Sequence, residues 1–273
     1  MDRGQQAVAN TGLLVAAIRA RETSRDDALF RDPFAEKLAG ATGVMHLEAA
    51  LAHSGERSTL QIVVRTRFWD EELLRAVQTA RQVVLLAAGM DARAYRLDWP
   101  DDTELFEVDQ PEVIAQKAHL LVADQPRCRR HAVGVDLRDD WPAAIRAAGF
   151  DSVQPTVWLM EGLLQYLDET AVSTLFDRVD ALSAAGSTLL YEVVGQSLLE
   201  SPSMAPLLES MADMGSPWLF GTDTPGELAQ RRGWSAHVVD IAEVGNRWNR
   251  WPTPAIPLEV PGVPRGFFVV AQR

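Results

Sequence analysis

The stretch QVVLLAAGMD, residues Gln82 to Asp91, joins a short apolar run to a turn of small residues. The run predicts a buried strand, and the turn leaves room for a ligand to approach the backbone. About 20 residues further on, Leu105–Val108 predicts a second strand, which ends at Asp109. A carboxylate in that place accepts hydrogen bonds from ribose hydroxyls. The combination favours a nucleoside site in an α/β sheet over plain sheet core, although neither part alone is specific.

Short apolar strands alternate with helical patterns through the middle of the chain. Further strands are predicted at residues 131–135, 156–160 and 188–194, each separated from the next by a helical pattern. This alternation is typical of a parallel sheet with right-handed crossovers. Two last strands, 234–239 and 266–271, are predicted without a helix between them. They are therefore expected to form an antiparallel pair at a sheet edge.

Three helical segments, residues 5–22, 34–52 and 60–80, precede the first strand. Gly40 and Gly43 are expected to break the second of them. A bare sheet domain does not need three helices before its first strand. We therefore expect them to cap the edge of the sheet where the ligand lies.

The length of the chain suits a single domain over residues 1–273. Residues 1–80 would form the cap and a lead-in helix, and residues 81–273 the sheet core, with a helical segment inserted at about 196–232. The inserted segment begins with a predicted helix over 196–215, which contains Met204, Met211 and Met214. Methionines at helical spacing favour core filler over a substrate wall.

Charge and composition exclude several kinds of partner. The net charge of -12 argues against nucleic-acid binding, which depends on clustered Lys and Arg. No signal region and no long apolar run is visible, which indicates a cytoplasmic protein without a membrane partner. The five histidines are scattered and Cys128 is the only cysteine, so neither a metal site nor an intramolecular disulfide is predicted. The flanking arginines are of the kind that lower a thiol pKa, but an incidental cysteine is the favoured interpretation.

Acidic residues end four successive predicted strands or follow them directly. They are Asp91, Asp109, Asp136 and Glu161, and in an open α/β sheet such positions meet in one crevice. The turn lacks the first and last glycines of a G-x-G-x-x-G phosphate cradle and has Asp91 where a phosphate would lie. A negative crevice suits S-adenosylmethionine, with its sulfonium and ammonium groups, better than NAD. An arginine such as Arg65 would bind the carboxylate of this donor.

Several blocks of the sequence closely resemble the leucine carboxyl methyltransferase family, in particular its bacterial branch of S-adenosylmethionine-dependent O-methyltransferases from natural-product pathways. The resemblance runs from about residue 10 to the C-terminus, and its most specific part is the block around Gly89. The matching blocks are DPFA (Asp32–Ala35), RTRF (Arg65–Phe68), LAAGMDARAYRL (Leu86–Leu97), FEVDQP (Phe106–Pro111), VDL (Val135–Leu137) and EGLLQYL (Glu161–Leu167).

The resemblance implies a class I methyltransferase fold. This is a Rossmann-like α/β fold with a seven-stranded sheet, an antiparallel last strand, helices on both faces and an N-terminal helical cap. It also implies contacts with S-adenosylmethionine for Arg65 (donor carboxylate), Ala87 and Gly89 (methionine), Asp109 (ribose), Asp136 with Leu137 (adenine) and Glu161 (methionine end), and it adds Gln110, next to Asp109, to the cofactor-binding residues. A basic residue of the first helix approaches the donor in the family, and here either Arg19 or Arg21 fills that place.

The acidity of the acceptor decides which mechanism is needed. A carboxylic acid is already ionised at pH 7 and needs only alignment behind the sulfonium methyl, whereas a phenol needs a base such as histidine. No histidine lies in the matching blocks, which favours a carboxylate of a small molecule or peptide. Tyr166, Tyr191 and Glu192 are candidates for the acceptor pocket. The alternatives are a phenolic acceptor, an NAD-dependent oxidoreductase and a non-catalytic nucleoside-binding module; the sequence leaves the oligomeric state open.

Overall fold

A computed structural model of the chain describes residues 3–213 and 215–273, which contain one seven-stranded sheet. The strands, in chain order, are β1 (Gln82–Leu86), β2 (Glu104–Asp109), β3 (Arg129–Gly134), β4 (Thr156–Met160), β5 (Thr188–Val194), β6 (Ser235–Asp240) and β7 (Gly266–Gln272). Their order across the sheet is β3-β2-β1-β4-β5-β7-β6. Strands β1 to β5 pair in parallel, and β7 pairs antiparallel with both β5 and β6. The predicted sheet, with its antiparallel last strand, is confirmed.

Helices precede the sheet and connect its strands. They are α1 (Arg3–Thr23), α2 (Ala35–Ser54), α3 (Arg57–Ala76), α4 (Arg93–Arg96), α5 (Pro111–Leu120), α6 (Trp141–Ala147), α7 (Glu169–Ala181), α8 (Gln196–Leu199), α9 (Ala205–Asp213), α10 (Glu227–Gln230) and α11 (Ile241–Arg247). Within the described ranges, none of them has the length and apolarity needed to span a bilayer.

Alternate side chains of each strand enter separate apolar layers on the two faces of the sheet. Every residue of β1 is buried because a parallel sheet is covered on both faces. Val83 and Leu85 pack in the layer that includes residues of α1, α2 and α3, whereas Val84 and Leu86 pack in the layer that includes residues of α6 and α7. The predicted helices on both faces are therefore confirmed.

The two glycines of α2 have different effects. Gly40 has φ +55°, a left-handed conformation, and the helix kinks there as expected. Gly43 does not break the helix. A Cβ atom on Gly43 would collide with the carbonyl oxygen of Leu13, so this glycine instead permits α1 and α2 to approach closely.

Two predictions for the last third of the chain are wrong. First, α11 lies between the last two strands; Asp240 accepts a hydrogen bond from the amide of Ala242 at its start, and Ile241 and Val244 are buried. This helix is short and ends next to the Trp- and Pro-rich loop, so its helical periodicity was not recognised in the sequence. Second, residues 196–215 do not form one helix, because Pro202 starts a 3₁₀ turn between α8 and α9.

Candidate functional site

A cavity of about 1330 Å³ lies at the carboxyl ends of the parallel strands. It is centred where the strand order reverses, since β2 and β3 lie on one side of β1 and β4 and β5 on the other. Such a switch point is the usual ligand site of an open α/β sheet. Residues of α1, α2 and α3 also line the cavity, so the N-terminal helices cover this edge of the sheet.

The structure brings all the predicted donor-contact residues to this one cavity. They are Arg65, Ala87, Gly89, Asp109, Gln110, Asp136, Leu137 and Glu161. Two of the three acceptor-pocket candidates, Tyr166 and Glu192, line the same cavity. The parallel sheet accounts for this convergence, because it places the carboxyl ends of its strands side by side.

The turn after β1 and the carboxylate of Asp109 hold each other in place. Ala87 and Gly89 both have left-handed backbone angles, with φ +56° and +48°. The amide of Gly89 then points at Asp109 and donates to Oδ2 over 2.6 Å, while the amide of Gln110 donates to Oδ1 over 2.7 Å. Burial raises the pKa of Asp109, although both amides act in the opposite direction. Each oxygen retains a lone pair for a ligand hydroxyl.

Nine charged side chains, five of which line the cavity, form a continuous series of ion pairs, here called the ion-pair chain. It begins in the cap and ends at β5, and each neighbouring pair lies within 4.0 Å. Its members, in order of contact, are Arg19, Asp32, Arg96, Asp70, Arg93 (which also holds Asp91), Glu161, Arg65 and Glu192. The chain ties the cap helices to the turn after β1 and to the ends of β4 and β5.

Arg93 is the centre of the ion-pair chain. Its Nε lies 2.7 Å from Asp70, and its Nη1 contacts both Asp91 and, at 2.7 Å, Glu161. Burial opposes the charge on Arg93, but these carboxylates outweigh it and raise the pKa well above the ordinary value. Burial likewise would raise the pKa of Asp91, but Arg93 and Lys117 lower it to about 2. Both groups are therefore ionised at neutral pH.

Arg65 joins the ends of β4 and β5. Its Nε lies 2.8 Å from Glu161 and its Nη1 2.7 Å from Glu192. Oε1 of Glu192 also accepts from the amide of Gly162 over 2.6 Å. Oε2 of Glu192 is buried and receives no hydrogen bond from any described residue. Burial raises the pKa of Glu192, with Arg65 acting against it.

Arg19 and Arg21 lie in different places relative to the cavity. Arg19 lines the cavity and is buried; it pairs with Asp32 at 2.8 Å and donates to the carbonyl oxygen of Met90 over 2.5 Å. Arg21 pairs instead with Glu56 near the surface. Only Arg19 is placed to approach a ligand in the cavity.

Tyr191 was expected in the acceptor pocket, and that expectation is wrong. The alternation of side chains along β5 sends Tyr191 to the sheet face opposite Glu192. There it is fully buried against Phe176, and its hydroxyl donates to the carbonyl oxygen of Pro225 over 2.6 Å. Burial raises the pKa of this phenol further.

Sequence reasoning missed two residues of the site. Arg93 lies in a matching block but was given no role. Its position two residues after Asp91 was the feature of the sequence that could have indicated an ion pair. His46 lines the cavity from α2, outside every matching block, and no local pattern pointed to it.

Cys128 and the other histidines do not form a second centre in the described residues. Burial raises the pKa of Cys128 to about 12 despite its arginine neighbours, so this thiol has no thiolate character at neutral pH. Across residues 3–213 and 215–273, no cluster of three or more His, Cys, Asp or Glu side chains has an arrangement that would hold a metal ion.

Known proteins share this sequence and this fold. Residues 12–180 match the model of the leucine carboxyl methyltransferase family. A protein of Parafrankia sp., provisionally named an S-adenosyl-L-methionine-dependent methyltransferase, is 40% identical over 284 residues, which cover 100% of this chain and 89% of that protein. A similarly named protein of Streptomyces coelicolor is 42% identical over 272 residues, covering 93% of this chain and 90% of its own.

A crystal structure of a protein from Thermobifida fusca, also provisionally named a methyltransferase, has a TM-score of 0.61 to this structure. The match covers 86% of this chain and 89% of that one, at 17% identity. At this identity the likeness concerns the fold alone.

Proposed function

The chain belongs to the leucine carboxyl methyltransferase family, and we propose that it methylates a carboxylate oxygen of a small molecule or peptide in natural-product biosynthesis. It is an S-adenosyl-L-methionine-dependent methyltransferase. The alternatives of an NAD-dependent oxidoreductase and of a non-catalytic nucleoside-binding module therefore fall away. The proposal concerns the acceptor and the roles of individual residues.

The side chains around the cavity suit S-adenosylmethionine. Asp109, fixed by two backbone amides, would accept from the ribose hydroxyls. Asp136 and Leu137 would border the adenine, and the carboxylate of Glu161 would face the ammonium end. Oε2 of Glu192, which no described residue hydrogen-bonds, is a buried acceptor in a wall that would meet a cation. When bound, this donor supplies an electrophilic methyl group on a sulfonium.

Among the described side chains, Arg65 and Arg19 are the two guanidinium groups that the cap contributes to the cavity wall. Each is already paired with carboxylates of the ion-pair chain, which fixes its position. A donor carboxylate would share these guanidinium groups with the chain. We assign that role to Arg65, with Arg19 as the second cation.

The family match over residues 12–180 supports a carboxylate as the acceptor, because the family's description names a carboxyl group. An ionised acceptor oxygen attacks the methyl carbon while the sulfur–carbon bond breaks, and the electron pair of that bond returns to sulfur. No proton moves in this step. The protein therefore needs to align the acceptor and exclude water, and the cap over the sheet edge supports both tasks.

A phenolic hydroxyl is the second candidate acceptor, and His46 is the observation that favours it. This imidazole lines the same cavity. A phenol would need a base to remove its proton, and histidine is the commonest base in proteins. The two candidates differ in whether turnover requires His46.

Calorimetric titration with S-adenosylhomocysteine tests the donor site. We expect micromolar binding to the wild type and a loss of about tenfold or more in Asp109→Ala, because a rigid acceptor of two hydroxyl hydrogen bonds is removed. The exposed Asp101 lies outside the cavity, so Asp101→Ala should bind as the wild type does. Equal binding by both variants would contradict the assignment of Asp109.

The chemical stability of the methylated product tests the acceptor. The enzyme is incubated with S-adenosylmethionine and separate panels of carboxylic acids and phenols, and products are detected by intact mass. A methyl ester is cleaved by mild alkali and releases methanol, whereas an aryl methyl ether is not. Alkali-labile products from the acids support the proposal; alkali-stable products from the phenols alone would replace it with the second candidate.

A further inference from the structure

We propose that the acceptor is an amphiphile whose apolar body packs against α9, and that a peptide is not the substrate. This inference rests on the proposed function for the reacting group only. It concerns the part of the cavity beyond the strand ends, where the walls come from the cap and from the segment between β5 and β6.

The first support is volume. A pocket for one drug-sized ligand measures roughly 300–1,000 Å³, and the cavity measures about 1330 Å³. The strand ends and the turn after β1 account for the donor's share. The remaining volume is then on the order of several hundred Å³, which is enough for a second ligand, the acceptor.

The second support is the packing of α9. Pro206, Leu207, Ser210 and Met211 line the cavity, and they recur one turn apart on a single face of the helix. No residue of α9 is fully buried, although the helix carries several large apolar side chains. An apolar helix face normally packs on the core. Here that face borders the cavity, and an apolar body lying there would complete its packing.

The third support is the chemistry of the remaining walls. Leu14 and Val15 of α1, Ala50 of α2 and Ile62 of α3 line the cavity from the cap. Trp218 and Leu219, which follow α9, line it as well, and the amide of Leu219 donates to the carbonyl oxygen of Gln165 over 2.6 Å. This hydrogen bond ties the segment after α9 to the loop after β4. The five aliphatic side chains offer contact area rather than hydrogen bonds, and the one polar atom of the set is Nε1 of Trp218, which is buried without a hydrogen-bond partner in the described residues.

Those walls disfavour a peptide. Each peptide unit carries a donor and an acceptor that need partners once buried. An alkyl or aromatic body has no such need and gains from burial in proportion to its area. Met211 adds a side chain that adapts its shape to the ligand. The expectation that the methionines of this segment are core filler is therefore wrong for Met211; Met214 lies outside the described residues.

Binding of straight-chain acids tests the inference independently of turnover. Butyrate, hexanoate, octanoate and decanoate are titrated by calorimetry into the protein saturated with S-adenosylhomocysteine. Affinity should rise by roughly fourfold for each added methylene that is buried. A short peptide ending in leucine, matched in size to decanoate, should bind at least tenfold more weakly than decanoate.

Matched variants of α9 locate the effect. Met211→Glu places a charge on the cavity face and should weaken decanoate at least tenfold while leaving S-adenosylhomocysteine and butyrate unchanged. Ala212→Glu adds the same charge to the same helix at an exposed position outside the lining, and should bind all of them as the wild type does. Met211→Leu should retain decanoate binding.

Two results with the acids would overturn the inference: affinities that do not depend on chain length, or a loss in Met211→Glu that is equal for butyrate and decanoate. Tighter binding of the peptide than of decanoate would do so as well. Failure of the proposed function would give a different result. Decanoate would then bind with the expected dependence on chain length without being methylated, whereas an apolar phenol would be methylated.

Discussion

Replacing Arg93 by methionine removes the centre of the ion-pair chain and keeps most of the side-chain volume. Arg93 is 2% exposed and contacts three carboxylates. Removing one partner of a buried ion pair costs about 3–5 kcal/mol, because the other charge stays buried. In the variant, Asp70 still has its ion pair with Arg96 (2.6 Å) and Glu161 its ion pair with Arg65 (2.8 Å). The loss therefore falls mainly on Asp91, and we expect the lower end, about 3 kcal/mol.

The pKa of Asp91 gives a second, independent magnitude. Its fall from 3.8 to about 2 corresponds to about 2 kcal/mol of stabilisation at pH 7. Since the folded pKa is depressed, this contribution is present above pH 4 and is lost as the pH falls towards 2. Without Arg93, burial becomes the main influence and raises the pKa of Asp91. Arg93→Met should then gain stability relative to Arg93→Met/Asp91→Asn as the pH is lowered from 7 to 4.

Urea unfolding followed by circular dichroism measures these differences in a double-mutant cycle. At pH 7, Asp91→Asn should cost about 2 kcal/mol in the wild type, but in Arg93→Met it should cost nothing or stabilise, giving a coupling of about 2 kcal/mol. Arg75→Met is the control; Arg75 is 70% exposed and pairs with Glu72 on one helix, so its loss should cost less than about 0.5 kcal/mol. The reasoning would be refuted if the stability losses of the two single variants added up to that of the double variant. It would also be refuted if Arg93→Met lost less than about 1 kcal/mol, as little as a surface ion pair is worth.

Three further predictions follow from single residues. His46→Gln should change kcat by less than about threefold, with kcat/KM flat from about pH 6 to 9, if the acceptor is a carboxylate; a loss of about 100-fold or more would indicate a hydroxyl acceptor. Cys128, with a pKa of about 12, should not react with a disulfide reagent at pH near 8 in the native protein, yet react fully in urea; rapid native labelling would contradict this raised pKa. Gly162→Ala, at φ +64° with its new Cβ 3.3 Å from Nη1 of Arg65, should lose about 1–2 kcal/mol of stability and bind S-adenosylhomocysteine more weakly. Gly233→Ala, at φ +83° in open space, should lose stability without the change in binding, and equal binding by both variants would separate Arg65 from the donor site.

Local patterns were sufficient to predict the sheet and the position of the site. A short apolar run, a small-residue turn and an acidic strand end are each visible within a few residues of the chain. The parallel arrangement then brings the strand ends together, whatever the helices between them do. This is why Gly89, Asp109 and Glu161 could be assigned to one crevice from the sequence.

Features that depend on packing between distant segments could not be predicted in this way. Tyr191 and Glu192 are neighbours in sequence, and only the register of β5 decides which of them faces the cavity. His46 reaches the cavity because α2 kinks at Gly40 and packs closely on α1, which no short pattern contains. The partners of Arg93 likewise lie up to 68 residues away from it along the chain.

The ion-pair chain also indicates why this fold, which elsewhere binds dinucleotides, suits a methyl donor here. Five carboxylates face four guanidinium groups in the chain, which leaves one negative charge in excess when all are ionised. Glu192, at one end of the ion-pair chain, lines the cavity, and its Oε2 receives no hydrogen bond from the described residues. S-adenosylmethionine carries a sulfonium, an ammonium and one carboxylate, a net charge that would compensate this excess. A pyrophosphate would add negative charge to the same wall, next to Asp91 and Glu161, at a cost that grows in a buried site. The walls beyond the strand ends contribute mostly uncharged side chains, which fits the proposal of a charged half for the donor and an apolar half for the acceptor.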